Sequence, residues 1–121
     1  MPIKKILVVD DSPTERFALI EFLSKQGYSV VTAENGEDGV VKSKQEKPDL
    51  ILMDVVMPGI NGYQATRTIS RDEATRNVPI IMTTSKDAET DKIWGMRQGA
   101  FDYMTKPLDM DELLKKIKDI G

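Results

Sequence analysis

Five short apolar segments recur along the chain, and a segment with helical spacing follows each of them. The apolar segments are Ile6–Val9, Val30–Ala33, Leu50–Met53, Ile80–Met82 and Ala100–Met104. The first, third and fourth are continuous rather than alternating, which is typical of strands covered on both faces, as in a parallel sheet. We therefore predict five strands, with the last, mixed segment near an edge of the sheet.

The first helix is predicted by its starting residues and by the spacing of its apolar side chains. Ser12 and Glu15 have the spacing of a capping box, in which each side chain binds the backbone amide of the other residue. Gly27 is a residue type that commonly ends helices. The apolar residues that share one face of this helix are Phe17, Ile20 and Leu23.

The remaining helices are predicted over residues 37–46, 62–71 and 89–98, with a fifth that begins near Asp109. The second is weakened by Gly39. In the fifth, three apolar residues follow the spacing i, i+4, i+7. They are Leu113, Ile117 and Ile120.

Strict alternation of five strands and five helices predicts an α/β fold, in which helices cover both faces of a parallel sheet. Right-handed crossovers restrict the topology, and the flavodoxin-like strand order 2-1-3-4-5 is the usual arrangement at this size. The chain has 121 residues, which is the length of one domain. The sequence therefore predicts a single (βα)5 three-layer sandwich over residues 1–121.

Composition removes several classes of function. The chain has no Cys and no His, which excludes thiolate and imidazole metal sites and fits a reducing compartment. Its apolar segments are far shorter than the ~20 residues of a membrane span, and the N-terminus does not have the pattern of a secretory signal. A net charge of −3 does not favour nucleic-acid binding. We expect a cytoplasmic protein with no membrane insertion and no nucleic-acid partner.

Acidic and basic residues follow three of the predicted strands. Asp10 and Asp11 come directly after strand 1, Asp54 after strand 3 and Lys106 after strand 5, while strand 4 ends in hydroxyl residues that include Thr84. Sites in open α/β sheets lie at the carboxyl ends of the strands, near the switch in strand order. We therefore expect these side chains to meet.

Three clustered carboxylates repel one another unless a cation lies among them. Oxygen ligands are those that Mg²⁺ prefers, and Mg²⁺ commonly binds beside a phosphate. Asp54 is the favoured nucleophile for a phosphoryl group, because its acid stands alone after a central strand. Lys106 would pair with one phosphate oxygen and Thr84 would bind another. In a simpler interpretation, Asp10 and Asp11 only cap the first helix.

Four stretches resemble the signatures of response-regulator receiver domains, in the right order and across the whole chain. They read VVDDS, LILMDVVMPGINGYQ, PIIMTTS and YMTKPLD. Longer stretches, such as EKPDLILMDVVMPGINGYQATR, are similar to stand-alone, CheY-like receivers of twitching-motility systems. The resemblance implies that Asp54 is the phosphoacceptor. It also implies that Asp10, Asp11, Asp54 and the backbone carbonyl of Val56 bind Mg²⁺.

The resemblance further implies a switch. Thr84 would be the switch hydroxyl, Tyr103 its aromatic partner, and Lys106 the phosphate-binding lysine in a cis peptide bond with Pro107. Val56 and Lys86 occupy positions that tune dephosphorylation in the family, and the apolar Val56 predicts a slow to moderate rate. Tyr103 also has a simpler interpretation as a half-buried aromatic residue. Trp94 and the seven Met residues are expected to be packing residues.

The implied function is that of a response regulator in a two-component or chemotaxis-like phosphorelay, and not that of an enzyme with a separate substrate. A histidine kinase would be the phosphodonor. An effector would bind the surface of helix 4, strand 5 and helix 5, or the protein would act as a phosphate sink. Because the chain ends with helix 5, no output domain is expected, and the protein would be a monomer or a weak dimer.

Three alternatives stay open. An Asp-nucleophile phosphatase would carry D-x-D after strand 1, but the third position here is Ser12. A flavin- or nucleotide-binding module would carry a glycine-rich phosphate loop, and neither G-x-x-x-x-G-K-[ST] nor G-x-G-x-x-G occurs. A receiver-shaped interaction module without phosphorylation would not bind Mg²⁺.

Overall fold

The secondary structure alternates between strands and helices throughout a computed structural model that describes residues 2–85 and 88–121. The strands are β1 Lys5–Val9, β2 Ser29–Ala33, β3 Leu50–Asp54, β4 Ile80–Thr84 and β5 Asp102–Thr105. The helices are α1 Pro13–Lys25, α2 Gly36–Gln45, α3 Gly62–Arg71, α4 Glu89–Arg97 and α5 Met110–Ile120. All ten predicted elements are therefore confirmed, with bounds that shift by a few residues.

The sheet is parallel and has the predicted order β2-β1-β3-β4-β5, so β2 and β5 are its outermost strands. Val9 of β1 lies opposite Met53 of β3, and Asp54 lies opposite Thr83 of β4. This register brings the residues that follow β1, β3 and β4 to the same end of the sheet.

Two apolar clusters, one on each face of the sheet, form the core. One lies under α1 and α5, and the other lies under α2 and α3. Every residue of β3 and β4 is buried, which accounts for their continuous apolar sequence. In α5, Leu113 and Ile117 are buried and Ile120 packs against the same cluster, as predicted.

The predicted apolar face of α1 was wrong in two of its three residues. Phe17 is 67% exposed and Ile20 is 36% exposed, whereas the buried residues of this helix are Leu19 and Leu23. At 3.6 residues per turn, Leu19 lies about 40° around the helix from Leu23, whereas Phe17 lies about 120° away. The i, i+4 pair therefore faces the sheet, and Phe17 faces the solvent.

The predicted helix cap is present at the start of α1, but a complete capping box occurs at a different helix. The Ser12 side chain accepts a hydrogen bond from the Glu15 amide, which is half of the predicted capping box. A full reciprocal capping box occurs instead at α3, between Asn61 and Gln64.

No helix within the described ranges has the length and apolar character that crossing a membrane requires.

The glycine that weakens the helical pattern of α2 lies where this helix meets the sheet. A Cβ atom at position 39 would lie 2.9 Å from the Cγ atoms of Val9. Gly39 therefore lets α2 approach β1 closely, directly beside the residues that lead into Asp10 and Asp11.

Candidate functional site

Three carboxylates meet at the carboxyl end of the sheet. Asp10, Asp11 and Asp54 each offer an oxygen atom, and these atoms lie within 4.8 Å of one another. Asp10 is 1% exposed and Asp54 is 6% exposed, whereas Asp11 is open to solvent. The predicted convergence of the acidic residues from β1 and β3 is thus present.

One cationic side chain faces the two buried carboxylates. The Lys106 ammonium nitrogen lies 2.9 Å from Asp10 Oδ2 and 3.5 Å from Asp54 Oδ1. Burial lowers the pKa of Lys106, but the hydrogen bond and negative charge of Asp10 outweigh this and raise the pKa overall. The Lys106–Pro107 peptide bond is cis, as expected from the resemblance.

The carboxyl group of Asp54 has a strongly perturbed pKa. Burial, followed by repulsion from Asp10, raises the pKa of Asp54 to about 6, although Lys106 acts in the opposite direction. Burial and the nearby Asp10 carboxylate therefore disfavour the charged form of Asp54 more than Lys106 favours it. A further cation, or a protonated carboxyl group, satisfies this site.

The loop after β3 is built so that α3 begins against the backbone of Asp54. The Gly62 amide donates a 2.8 Å hydrogen bond to the Val55 carbonyl. A Cβ atom at position 62 would overlap the Asp54 carbonyl oxygen and lie 2.8 Å from Val55 Cα. Glycine is therefore the residue that fits here, and this contact fixes where Asp54 lies relative to α3.

The Asp10 backbone and side chain are held by the first turn of α1. The Ser12 amide donates to Asp10 Oδ1 at 2.9 Å, and Arg16 donates to the Asp10 carbonyl at 2.7 Å. Arg16 also lies 3.6 Å from Glu34. Sequence reasoning missed Arg16, because a charged residue in a first turn has no distinctive signal. Position 12 carries a serine hydroxyl and no carboxyl group, so the second acid of a D-x-D phosphatase motif is missing there.

The two predicted switch residues are neighbours. Thr84 is buried at the end of β4, and its carbonyl accepts a 2.7 Å hydrogen bond from the Lys106 amide. The side chains of Thr84 and Tyr63 lie close enough to the Tyr103 hydroxyl to affect its pKa. Burial, together with the interaction with Tyr63, raises the pKa of Tyr103. Tyr63 did not stand out in the sequence, because its ring matches an ordinary apolar helical position.

Three other predicted positions have different outcomes. The Val56 side chain is 58% exposed, and Val56 follows the buried Val55 in the loop after β3. Lys86 lies outside the described residues. Trp94, which we expected to be a packing residue, is 50% exposed on α4.

The donor set fits a hard divalent cation. All three side chains are carboxylates, two of them are buried, and one lysine does not neutralise them. Mg²⁺ prefers such oxygen ligands and keeps some of its water, and the solvent-exposed Asp11 leaves room for that water. The acidic cluster is thus compatible with Mg²⁺.

Comparison with known proteins identifies the class. The sequence pattern of the response regulator receiver domain matches residues 6–118, and the chain belongs to this family. Within it, the chain is 57% identical over 116 residues to protein PilH of Pseudomonas aeruginosa, and the match covers 96% of each chain.

Solved structures agree with this assignment. The Vibrio cholerae chemotaxis protein CheY4 superposes with a TM-score of 0.92 at 29% identity, covering 98% of this chain and 99% of that chain. The response regulator TrrA of Thermotoga maritima, solved in complex with Mg²⁺ and BeF, superposes with a TM-score of 0.88 at 34% identity. That match covers 98% of this chain and 100% of TrrA. The flavodoxin-like, CheY-like fold is therefore confirmed.

Proposed function

We propose that this protein accepts a phosphoryl group from a phosphohistidine of a histidine kinase onto Asp54. The observation that carries the proposal is the proximity of the Asp10, Asp11 and Asp54 carboxylates, two of which are buried and have Lys106 as their one ion-pair partner among the described residues. Such a site favours the binding of a cation, and the bound cation in turn favours a negatively charged phosphoryl group during its transfer. Membership of the receiver family and the similarity to PilH support the same assignment.

Each side chain has a role in the transfer. An Asp54 carboxylate oxygen forms the new P–O bond while the P–N bond of the phosphohistidine breaks, and the imidazole keeps the electron pair. Lys106, already 3.5 Å from Asp54, would pair with a phosphoryl oxygen. Thr84 would hydrogen-bond another.

Asp10, Asp11, Asp54 and the Val56 carbonyl would hold Mg²⁺. The ion, when bound, offsets negative charge on the phosphoryl oxygens. The remaining contribution of the chain is to hold Asp54 at the end of β3 by the Gly62 contact, and Asp10 by the Ser12 and Arg16 hydrogen bonds.

The signal would leave through the surface formed by α4, β5 and α5. Ile93, Trp94 and Phe101 are exposed there, and such apolar residues suit an effector protein. Twitching motility is the pathway that similarity to PilH suggests. We place the protein in the cytoplasm, where ATP supplies the phosphoryl group to kinases, and expect a monomer or weak dimer.

Phosphoryl uptake tests the proposal. The wild-type protein, incubated with acetyl phosphate and Mg²⁺, should gain the mass of one phosphoryl group, and EDTA should abolish this gain. Asp54→Asn should gain none, because an amide is not a nucleophile here. Asp119→Asn, which removes an exposed carboxylate of α5, is the matched control and should be phosphorylated normally. A labile phosphate on Asp54→Asn would contradict the proposed acceptor.

A further inference from the structure

Tyr63 connects α3 to α4 through its hydroxyl group. It lies in the first turn of α3, and its ring packs against the apolar cluster beneath α2 and α3. Its hydroxyl donates a 3.3 Å hydrogen bond to the backbone carbonyl of Asp91, in the first turn of α4. This hydrogen bond links the first turns of the two helices.

Tyr63 and Tyr103 pack against the same apolar cluster, and their hydroxyl groups lie close enough to affect each other's pKa. Tyr103 in turn lies beside the side chain of Thr84, at the end of β4. Side-chain contacts therefore run from the strand end beside the acidic site, through two tyrosines, to the backbone of α4. The Tyr103 ring also lies under this helix, since a Cβ atom at Gly95 would be 3.3 Å and 3.4 Å from two of its ring carbons.

Helix α4 makes few buried contacts with the rest of the described chain. Gly95 is its one buried residue, and its N-cap residue Ala88 makes no side-chain capping hydrogen bond. Its apolar residues Ile93, Trp94 and Met96 are about half exposed. An element with so little buried surface is easily displaced, so individual hydrogen bonds weigh heavily in setting its position.

We propose that Tyr63 is a positioning residue that transmits the state of the Thr84–Tyr103 pair to α4. Because the Tyr63 hydroxyl lies near that of Tyr103 and donates to the Asp91 carbonyl, a displacement of Tyr103 changes the surroundings of the Tyr63 hydroxyl and hence its hydrogen bond to the first turn of α4. The unphosphorylated and phosphorylated proteins then differ in how α4 presents Trp94 to a partner. This inference rests on the proposed phosphorylation of Asp54.

Tyr63→Phe is the direct test, because it keeps the ring and removes only the hydroxyl group. Tyr28→Phe is the matched control: Tyr28 packs against the other apolar cluster, beneath α1 and α5. Trp94 is the one tryptophan of the chain and lies on α4. Its emission and its quenching by acrylamide, before and after phosphorylation with acetyl phosphate and Mg²⁺, therefore report on this helix.

We expect Tyr63→Phe to gain a phosphoryl group at a rate within about twofold of wild type, since it does not touch the acidic site. The phosphorylation-induced change in Trp94 quenching should fall to less than about half of the wild-type change. Amide hydrogens of α4 should exchange at least about threefold faster, because the helix loses a tertiary hydrogen bond. Tyr28→Phe should match wild type in all three measurements.

A Tyr63→Phe/Tyr103→Phe double variant separates coupling from local packing. If the two hydroxyls act in one path, the double variant loses no more of the Trp94 response than Tyr103→Phe alone. A full Trp94 response in Tyr63→Phe, with unchanged α4 exchange, would overturn the role of Tyr63 while leaving phosphorylation intact. A wild-type protein that gains no phosphoryl group would overturn the proposed function, and this inference with it.

Discussion

Lys106 and Asp10 form a 2.9 Å ion pair that joins the end of β5 to the end of β1, across two intervening strands. The same ammonium group lies 3.5 Å from Asp54. Within the described residues, Lys106 is the one side chain that forms an ion pair with these two buried carboxylates, and its removal takes away that pairing from both.

Lys106→Ala should therefore destabilise the Mg²⁺-free protein by about 3 kcal/mol at neutral pH, because breaking a buried ion pair strands its partner. Millimolar Mg²⁺ should recover part of the loss by supplying positive charge to the same carboxylates. Urea unfolding, with and without EDTA, measures both effects.

Lys25→Ala is the control for this prediction, since Lys25 pairs with Glu21 on the exposed surface of α1. Exposed pairs contribute about 0–1 kcal/mol, so this variant should differ little from wild type and should not respond to Mg²⁺. Equal losses in the two variants would contradict a buried role for Lys106.

The raised pKa of Asp54 predicts a pH dependence. Between its ordinary value of 3.8 and about 6, the folded state holds a proton that the unfolded state has lost. The contribution of Asp54 to the free energy of unfolding therefore falls as pH rises through this window, by about 3 kcal/mol in the absence of Mg²⁺. Asp54→Asn should be more stable than wild type above pH 6, with a difference that vanishes near pH 4. Urea unfolding across this range measures it.

Asp49→Asn is a control of opposite sign. Hydrogen bonds from the Lys5 and Lys4 amides outweigh burial and lower the pKa of Asp49. Its charged form thus stabilises the fold above the unfolded-state pKa, and this contribution is lost as pH falls. Asp49→Asn should be less stable than wild type at neutral pH. A lower stability of Asp54→Asn than of wild type at neutral pH would contradict the raised pKa of Asp54.

The two apolar faces of α1 should respond differently to truncation. Leu19→Ala opens a cavity in the core and should cost about 2–5 kcal/mol. Phe17→Ala removes a ring that is 67% exposed and should change the free energy of unfolding by less than about 0.5 kcal/mol. Denaturant midpoints of the two variants compare them directly, and a larger loss for Phe17→Ala would reverse the assignment of the buried face.

Gly62→Ala should destabilise the protein even though alanine favours helices. Its Cβ atom would meet the Asp54 backbone, which cannot move without shifting the acidic site, and overpacking of this kind costs about 1–3 kcal/mol. Gly95→Ala meets the sulfur of Met82 at 2.9 Å instead, and a flexible thioether adjusts more easily. Thermal unfolding should rank Gly62→Ala as the less stable variant, and only this variant should slow phosphoryl uptake.

Most of the fold followed from the sequence because its signals are local and agree with one another. Continuous apolar strands, helical spacing and glycine stops define five βα units, and parallel topology then brings Asp10, Asp11 and Asp54 to one end of the sheet. The placement of Lys106 at the same end of the sheet could also be predicted, because this residue follows a strand of that sheet. These placements depend on chain connectivity rather than on side-chain detail.

Side-chain contacts between elements were not predictable in the same way. The burial of Leu19 in place of Phe17 depends on how α1 is rotated against the sheet. The hydrogen bonds of Arg16 and Tyr63 to the backbone carbonyls of Asp10 and Asp91 could not be predicted, because carbonyl positions leave no signal in the sequence. The exposure of Trp94 likewise depends on how little of α4 meets the sheet.

The two outermost strands of the sheet differ in their resistance to self-association. Strand β5 is four residues long and carries Asp102, whose carboxylate binds Lys116 at 2.7 Å, and shortness and charge both deter pairing with another chain. Strand β2 reads SVVTA, with neither charge nor proline. In molecules that are partly unfolded by heat, aggregation should therefore begin by backbone pairing along β2.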